Sequence, residues 1–167
     1  MALRPILHFP DPRLRLKAEP VVNFDQNLQT LIDDMLETMY EDNGCGLAAI
    51  QINVQQRVIV MDISDDYKQP QCFINPVITA REGSQISKEG CLSVPNIYES
   101  VKRAEKIQVS AFDRHGKPLQ FEAEGLFAIC LQHETDHLDG KLHIDYLSPL
   151  KRQFIQKKIE KLRRETI

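Results

Sequence analysis

Residues 126–140 read LFAICLQHETDHLDG. Leu126, Phe127, Ile129, Cys130, His133, Glu134 and His137 return at intervals of three and four, the period of one helix face, until Asp139-Gly140 stops the run. A stretch that is apolar upstream and carries His, Glu and His downstream predicts a buried helix with its chemistry at the C-terminal end. What covers that helix is written immediately before it. From Arg57 to about Glu124 the chain breaks into short β-branched runs, RVIVMDI, CFINPVIT, KIQVSAF and PLQFEAE. Alternation is clear at Ile107, Val109 and Ala111, and Asp113 to Gly116 turns the chain into a strand starting at Pro118. Those runs predict antiparallel sheet. Farther out, Asp25 caps a helix with an apolar stripe at Leu28, Leu31, Ile32, Met35, Leu36, Met39 and Tyr40, ending before Asn43-Gly44. At the other end, Ser148-Pro149 opens a helix running almost to Ile167, with Leu150, Phe154, Ile155, Ile159 and Leu162 on one side. The expected class is α+β: antiparallel β-sheets packed around a buried metal-binding HExxH helix, with an N-terminal amphipathic helix and a C-terminal helix.

Composition sets the frame. The chain has 167 residues, 42% hydrophobic and 27% charged, with 9 Pro, 7 Gly and no Trp, and no repeat or linker divides it. One catalytic domain over residues 1–167 is the expectation, large enough to fold without a disulfide or metal staple. A metal site in such a chain is expected to do chemistry. A net charge of -3 argues against a surface built for nucleic acid, so no DNA partner is expected. Apolar stretches such as Val58 to Met61 fall far short of the roughly 18 to 20 residues that cross a bilayer. MALRPILHFPDPRLR places prolines and charges where a secretory signal needs an apolar core. A cytoplasmic protein without membrane contact is expected. Cys45, Cys72, Cys91 and Cys130 form no CxxC pair, and scattered thiols in a reducing compartment are most often small buried hydrophobes.

The motif His133-Glu134-Thr135-Asp136-His137 breaks that blandness. Residues four apart stand one above the other on a helix, so His133 and His137 can converge on one cation. Glu134 is turned by about 100° and can lean over a water near the cation without ligating it, which is where a general base belongs. The bland alternative makes both histidines satisfied core residues, at a cost for three buried polar groups without partners. A catalytic site also needs a third ligand. Downstream candidates are His143, Asp145 and Glu160; upstream stands Cys91, in Glu89-Gly90-Cys91-Leu92-Ser93-Val94-Pro95, which reads as a tight loop or short strand.

EGCLSVP, HETDHLDG and Gly44-Cys45-Gly46-Leu47-Ala48-Ala49-Ile50-Gln51 together resemble the three signature motifs of peptide deformylases, in that family's order. The opening ILHFPDPRLR is similar to the family's N-terminal segment, so the resemblance covers nearly the whole chain. It implies an enzyme that removes the formyl group from the N-terminal formylmethionine of newly synthesised proteins. It implies Cys91, His133 and His137 as metal ligands, with a metal-activated water as attacking group and Glu134 as general acid/base. The backbone N–H of Leu92 and the side-chain amide of Gln51 are implied as donors to the developing oxyanion. Gly44, Cys45 and Gly46 are implied to pair with the substrate main chain, and Glu89 to brace the Cys91 loop by pairing with Arg103, beside Gly90. Ile129 and Cys130, one turn before His133, are candidates for an apolar pocket around the methionine side chain. The implied ion is Fe(2+), with Zn(2+), Ni(2+) or Co(2+) as replacements for the same S, N, N donor set.

Two other readings stand beside this one. A metallopeptidase would use the same helix with a downstream ligand, and a noncatalytic protein would hold a structural metal without needing Glu134. The basic run Lys151, Arg152, Lys157, Lys158, Lys161, Arg163 and Arg164 in the last helix reads either as a solvated face or as a contact to ribosomal RNA.

Overall fold

The computed structural model describes residues 2–165. Seven strands and three α-helices follow in the order α1 (Gln26–Glu41), β1 (Gly46–Ala48), β2 (Val58–Met61), β3 (Gln71–Glu82), β4 (Gln85–Cys91), β5 (Val94–Arg103), β6 (Lys106–Phe112), β7 (Pro118–Glu124), α2 (Gly125–Leu138) and α3 (Pro149–Glu165). Five strands form one antiparallel sheet in the order β1-β2-β3-β6-β7, while β4 and β5 pair as a separate two-stranded ribbon. The architecture is the expected α+β.

The four residues of β2 are all buried, and their alternation shows why the run is apolar without a break. Val58 and Val60 pack with Leu28, Leu31, Ile32, Met35 and Met39 of α1. Ile59 and Met61 point the other way, into a core shared with Ala128, Leu131 and Leu138 of α2 and with Ile107 and Val109 of β6. Both faces of the sheet are thus covered by helices. The side chain of Asp25 accepts from Leu28 N at 3.0 Å, capping α1 as its sequence implies. The α2 helix is buried through most of its length, although Leu126 at its start is exposed.

Two features were not legible in the sequence pattern. The ribbon of β4 and β5 does not show the alternating apolar pattern by which strands are recognised, because its inward positions include Glu89 and Arg103, 6% and 4% exposed. Among the described residues of α3, Ile155 and Ile159 are the buried ones, against Val94 and Ile97 of β5 and Leu142 and Ile144 of the preceding turn. Leu150 and Phe154 lie 77% and 74% exposed, since a stripe of two turns suffices to cover a two-stranded ribbon. The expected end of α3 at Ile167 lies outside the described residues.

Candidate active site

The C-terminal half of α2 faces the tip of the β4–β5 ribbon. There Cys91 pairs with Val94 across a turn at Leu92 and Ser93, which directs the thiol toward the helix. Cys91 Sγ lies 3.4 Å from His137 Nε2, and His137 Nε2 lies 3.3 Å from His133 Nε2. All three donor atoms fall within 4.8 Å of one another. Tetrahedral coordination with bonds of about 2.0–2.3 Å requires donors separated by about 3.3–3.6 Å, and the two separations from His137 Nε2 meet that requirement. Burial holds His137 well below the usual imidazole range, which leaves its nitrogen lone pair free to ligate.

Hydrogen bonds from outside the set fix its orientation. His133 Nδ1 donates to Glu89 Oε1 at 2.8 Å, which turns Nε2 toward Cys91 and His137. Glu89 is held in turn by a two-point pairing with Arg103, at 2.9 and 2.8 Å, and Arg103 reaches Asp136 at 2.8 Å. Burial pushes the Glu89 carboxyl up, but the Arg103 and His133 bonds outweigh it and draw it down to about 2. The carboxylate is ionised throughout the physiological range. The downstream residues take other places: Asp145 pairs with Arg15 at 2.6 Å, Glu160 is exposed on α3, and His143 packs its ring 5.7 Å from that of His133 without joining the donor group.

A cleft of about 640 Å³ opens over these groups. Glu134 lies in it, 4% exposed, with Oε1 lacking any hydrogen-bond partner, and burial pushes its carboxyl up to about 8. Gly46 makes room for that carboxylate, because a Cβ there would stand 2.5 Å from Glu134 Oε2. Gln51 is 1% exposed; its Oε1 accepts from Ala48 N at 2.9 Å, so its amide nitrogen faces Ser93 Oγ at 3.0 Å and Cys91 Sγ at 3.7 Å. Gly44 and Cys45 lead into β1, an edge strand that pairs only with β2 and whose start borders the cleft. Ile129 and Cys130 line the cleft from α2, and Glu89, Gly90 and Leu92 line it from the ribbon tip. The sequence-based candidates are therefore brought together around one cavity. A larger groove, about 870 Å³, runs between Pro5–Arg13 and α3, and none of the three donors lines it.

Some members escape a reading of the sequence. Ser93 is fully buried beneath Gln51, and Tyr67 donates its hydroxyl to the Gly44 carbonyl, holding the cleft rim from a loop with no motif. Asp136 was visible inside HETDH, yet only the folded arrangement shows it gripping Arg103 and Tyr146. Cys45 departs from the buried-thiol expectation, being exposed at the cleft, whereas Cys130 is buried.

A family model described as polypeptide deformylase matches residues 3–153. Peptide deformylase 2 of Xanthomonas axonopodis pv. citri (strain 306) is 56% identical over 167 residues, covering 98% of each chain. The crystal structure of a peptide deformylase from Legionella pneumophila superposes with a TM-score of 0.93 at 52% identity, covering 99% of this chain and 98% of that one. The peptide deformylase from Ehrlichia chaffeensis in complex with actinonin gives 0.92 at 40% identity, covering 96% and 98%. With a match that spans all three motifs and relatives that align nearly end to end, the chain belongs to the polypeptide deformylase family.

Proposed function

We propose that this protein removes the formyl group from the N-terminal formylmethionine of newly synthesised proteins, with Cys91, His133 and His137 holding one divalent ion and residues 1–167 working as one catalytic domain. The observation that carries the reading is the convergence of one sulfur and two imidazole nitrogens within 4.8 Å of one another, beside a buried carboxylate oxygen with no partner. A bound divalent ion supplies Lewis acidity and a water acidified toward neutral pH.

The remaining work falls to the chain. Glu134 takes the proton of the attacking water, favoured by a carboxyl whose affinity for protons burial has raised, and returns it to the leaving amine as the C–N bond breaks. Negative charge grows on the formyl oxygen. The Gln51 amide, already aimed past Cys91, and the Leu92 N–H donate to it, a donor of this kind being worth about 2.7–4 kcal/mol. The substrate main chain adds along Gly44–Gly46 at the sheet edge, which reads backbone and accepts many sequences. Ile129 and Cys130 offer apolar surface to the methionine side chain. The S, N, N set suits Fe(2+) in the cell, with Zn(2+), Ni(2+) or Co(2+) able to replace it. No helix among the described residues is long and apolar enough to cross a membrane. Action on nascent chains puts the work of this protein in the cytoplasm. Exposed Lys157, Lys158 and Lys161 on α3 provide a contact for ribosomal RNA.

The deciding experiment incubates anaerobically purified, metal-assayed protein with formyl-Met-Ala-Ser and measures formate. Formate release by the iron and nickel forms is expected; none from either overturns the reading. Glu134→Ala should keep its metal and lose turnover, which separates an enzyme from a metal-stabilised binding protein, and Cys91→Ser should lose tight metal binding.

A further inference from the structure

Two cysteines border the substrate path just described, yet neither thiol group takes part in the proton transfers or the metal binding. Cys45 lies between Gly44 and Gly46, exposed at the cleft. Cys130 is buried on α2, three residues before His133, with its Sγ 3.7 Å from the Cys45 carbonyl oxygen. That bond runs from the thiol of Cys130 to the backbone of Cys45, and both residues line the same cleft, so the two cysteines are neighbours across it. An accessible thiol backed by a buried one is the arrangement in which oxidation ends reversibly at a disulfide rather than proceeding to higher oxides.

We propose that Cys45 and Cys130 form a dithiol modification site that hydrogen peroxide converts to a disulfide, reversibly closing the cleft. The Cys45 thiolate attacks one peroxide oxygen, the O–O bond breaks, and water departs after protonation, leaving a sulfenic acid on Cys45. The Cys130 sulfur then attacks the Cys45 sulfur, loses its proton, and expels the hydroxyl group as water. Two electrons pass from the thiols to the peroxide, and two thiols plus one peroxide become one disulfide and two waters. The neighbouring Cys130 thiol draws the Cys45 thiol below its ordinary value, which favours the first step near neutrality.

Closure follows from the packing. A sulfur–sulfur bond draws residue 45 against α2, and the neighbouring Gly46 backbone already sits where even a Cβ would meet Glu134. Small displacements of Gly44–Gly46 therefore disturb both the strand edge and the carboxylate. The effect on turnover rests on the deformylase reading; formation of the bond does not.

The test treats nickel-loaded enzyme with limiting hydrogen peroxide and follows it by tryptic mass mapping and by formate release. Trypsin puts the four cysteines on separate peptides, because Lys or Arg lies between each successive pair. The expected map joins the Cys45 and Cys130 peptides with loss of two hydrogens, turnover falls about tenfold or more, and dithiothreitol restores both. Cys45→Val and Cys130→Ala, each compared with its own untreated rate, should show neither the bond nor the reversible loss. A map with both thiols free, a bridge that includes Cys91, or a Cys45–Cys130 bridge without loss of turnover in a previously active sample overturns the proposal. An untreated sample that releases no formate defeats the deformylase reading instead, and the map then decides the dithiol site alone.

Discussion

Gly46 and Arg103 illustrate two ways in which a single residue controls the site without entering the chemistry. At Gly46 the constraint is space: the hypothetical Cβ falls 2.5 Å from Glu134 Oε2 and 2.9 Å from Glu134 Cδ. Gly46→Ala should push the carboxylate out of place and lower kcat by about 100-fold while metal content stays full, as a kinetic and metal assay of the same sample would show. At Arg103 the constraint is charge. It is 4% exposed and holds Glu89, which orients His133. Arg103→Met leaves the Glu89 carboxylate buried without its partner, and urea unfolding should register a loss of about 3–5 kcal/mol. Because Glu89 also fixes the His133 ring, competition with a chelator should show metal affinity down by about 10–100-fold.

Among the elements, α3 separates what is structural from what faces outward. Ile155 and Ile159 hold it to the β4–β5 ribbon, so truncation at Lys157 would remove part of a core and confuse instability with the absence of a docking face. Replacing exposed Lys157, Lys158 and Lys161 with Glu tests the charged face alone. Ribosome co-sedimentation should weaken most at low salt, with the salt dependence reduced by roughly one unit for each phosphate that is no longer neutralised; unchanged binding would remove the ribosomal contact from the reading. The elements also differ in how plainly they were written in the chain. The α1 stripe, the doubly covered β2 run and the apolar positions of α2 on either side of its HExxH turn each follow a pattern dictated by packing on a large core. The β4–β5 ribbon shares only a small core with α3, and on its inner face an ion pair stands among the apolar positions, so the hydrophobic period is broken there. Cys91 was legible as a member of a motif, but the turn that carries its thiol to His137 is a property of the folded ribbon. Tyr67 carries no motif at all, since its role is one hydroxyl reaching a backbone carbonyl across the cleft rim.

Across the whole molecule, Asp62 ties these parts together. It follows β2, is 1% exposed, and accepts hydrogen bonds from Ser64, from Gln69 N and from the Tyr40 hydroxyl of α1. The loop it gathers carries Tyr67, which holds Gly44 at the cleft, while its own N–H donates to the Cys45 carbonyl at 2.9 Å. Helix, sheet and the cleft rim thus meet at one carboxylate. Burial pushes Asp62 upward, but the Ser64 and Tyr40 bonds outweigh it and the net shift is downward. A carboxyl whose folded pKa is depressed contributes stability above its unfolded value of about 3.9, and that contribution is lost as pH falls through the folded value. Asp62→Asn removes this titration and turns an amide N–H₂ toward the backbone N–H of Gln69 or of Ser64, which can only donate, with an expected cost of about 1–3 kcal/mol at neutral pH. Urea midpoints of wild type and Asp62→Asn, compared in the same metal state from about pH 7 down to about pH 3, should therefore converge as the acid limit is approached. A gap that stays constant across that range would mean that the carboxylate's charge is not what binds the cleft rim to α1.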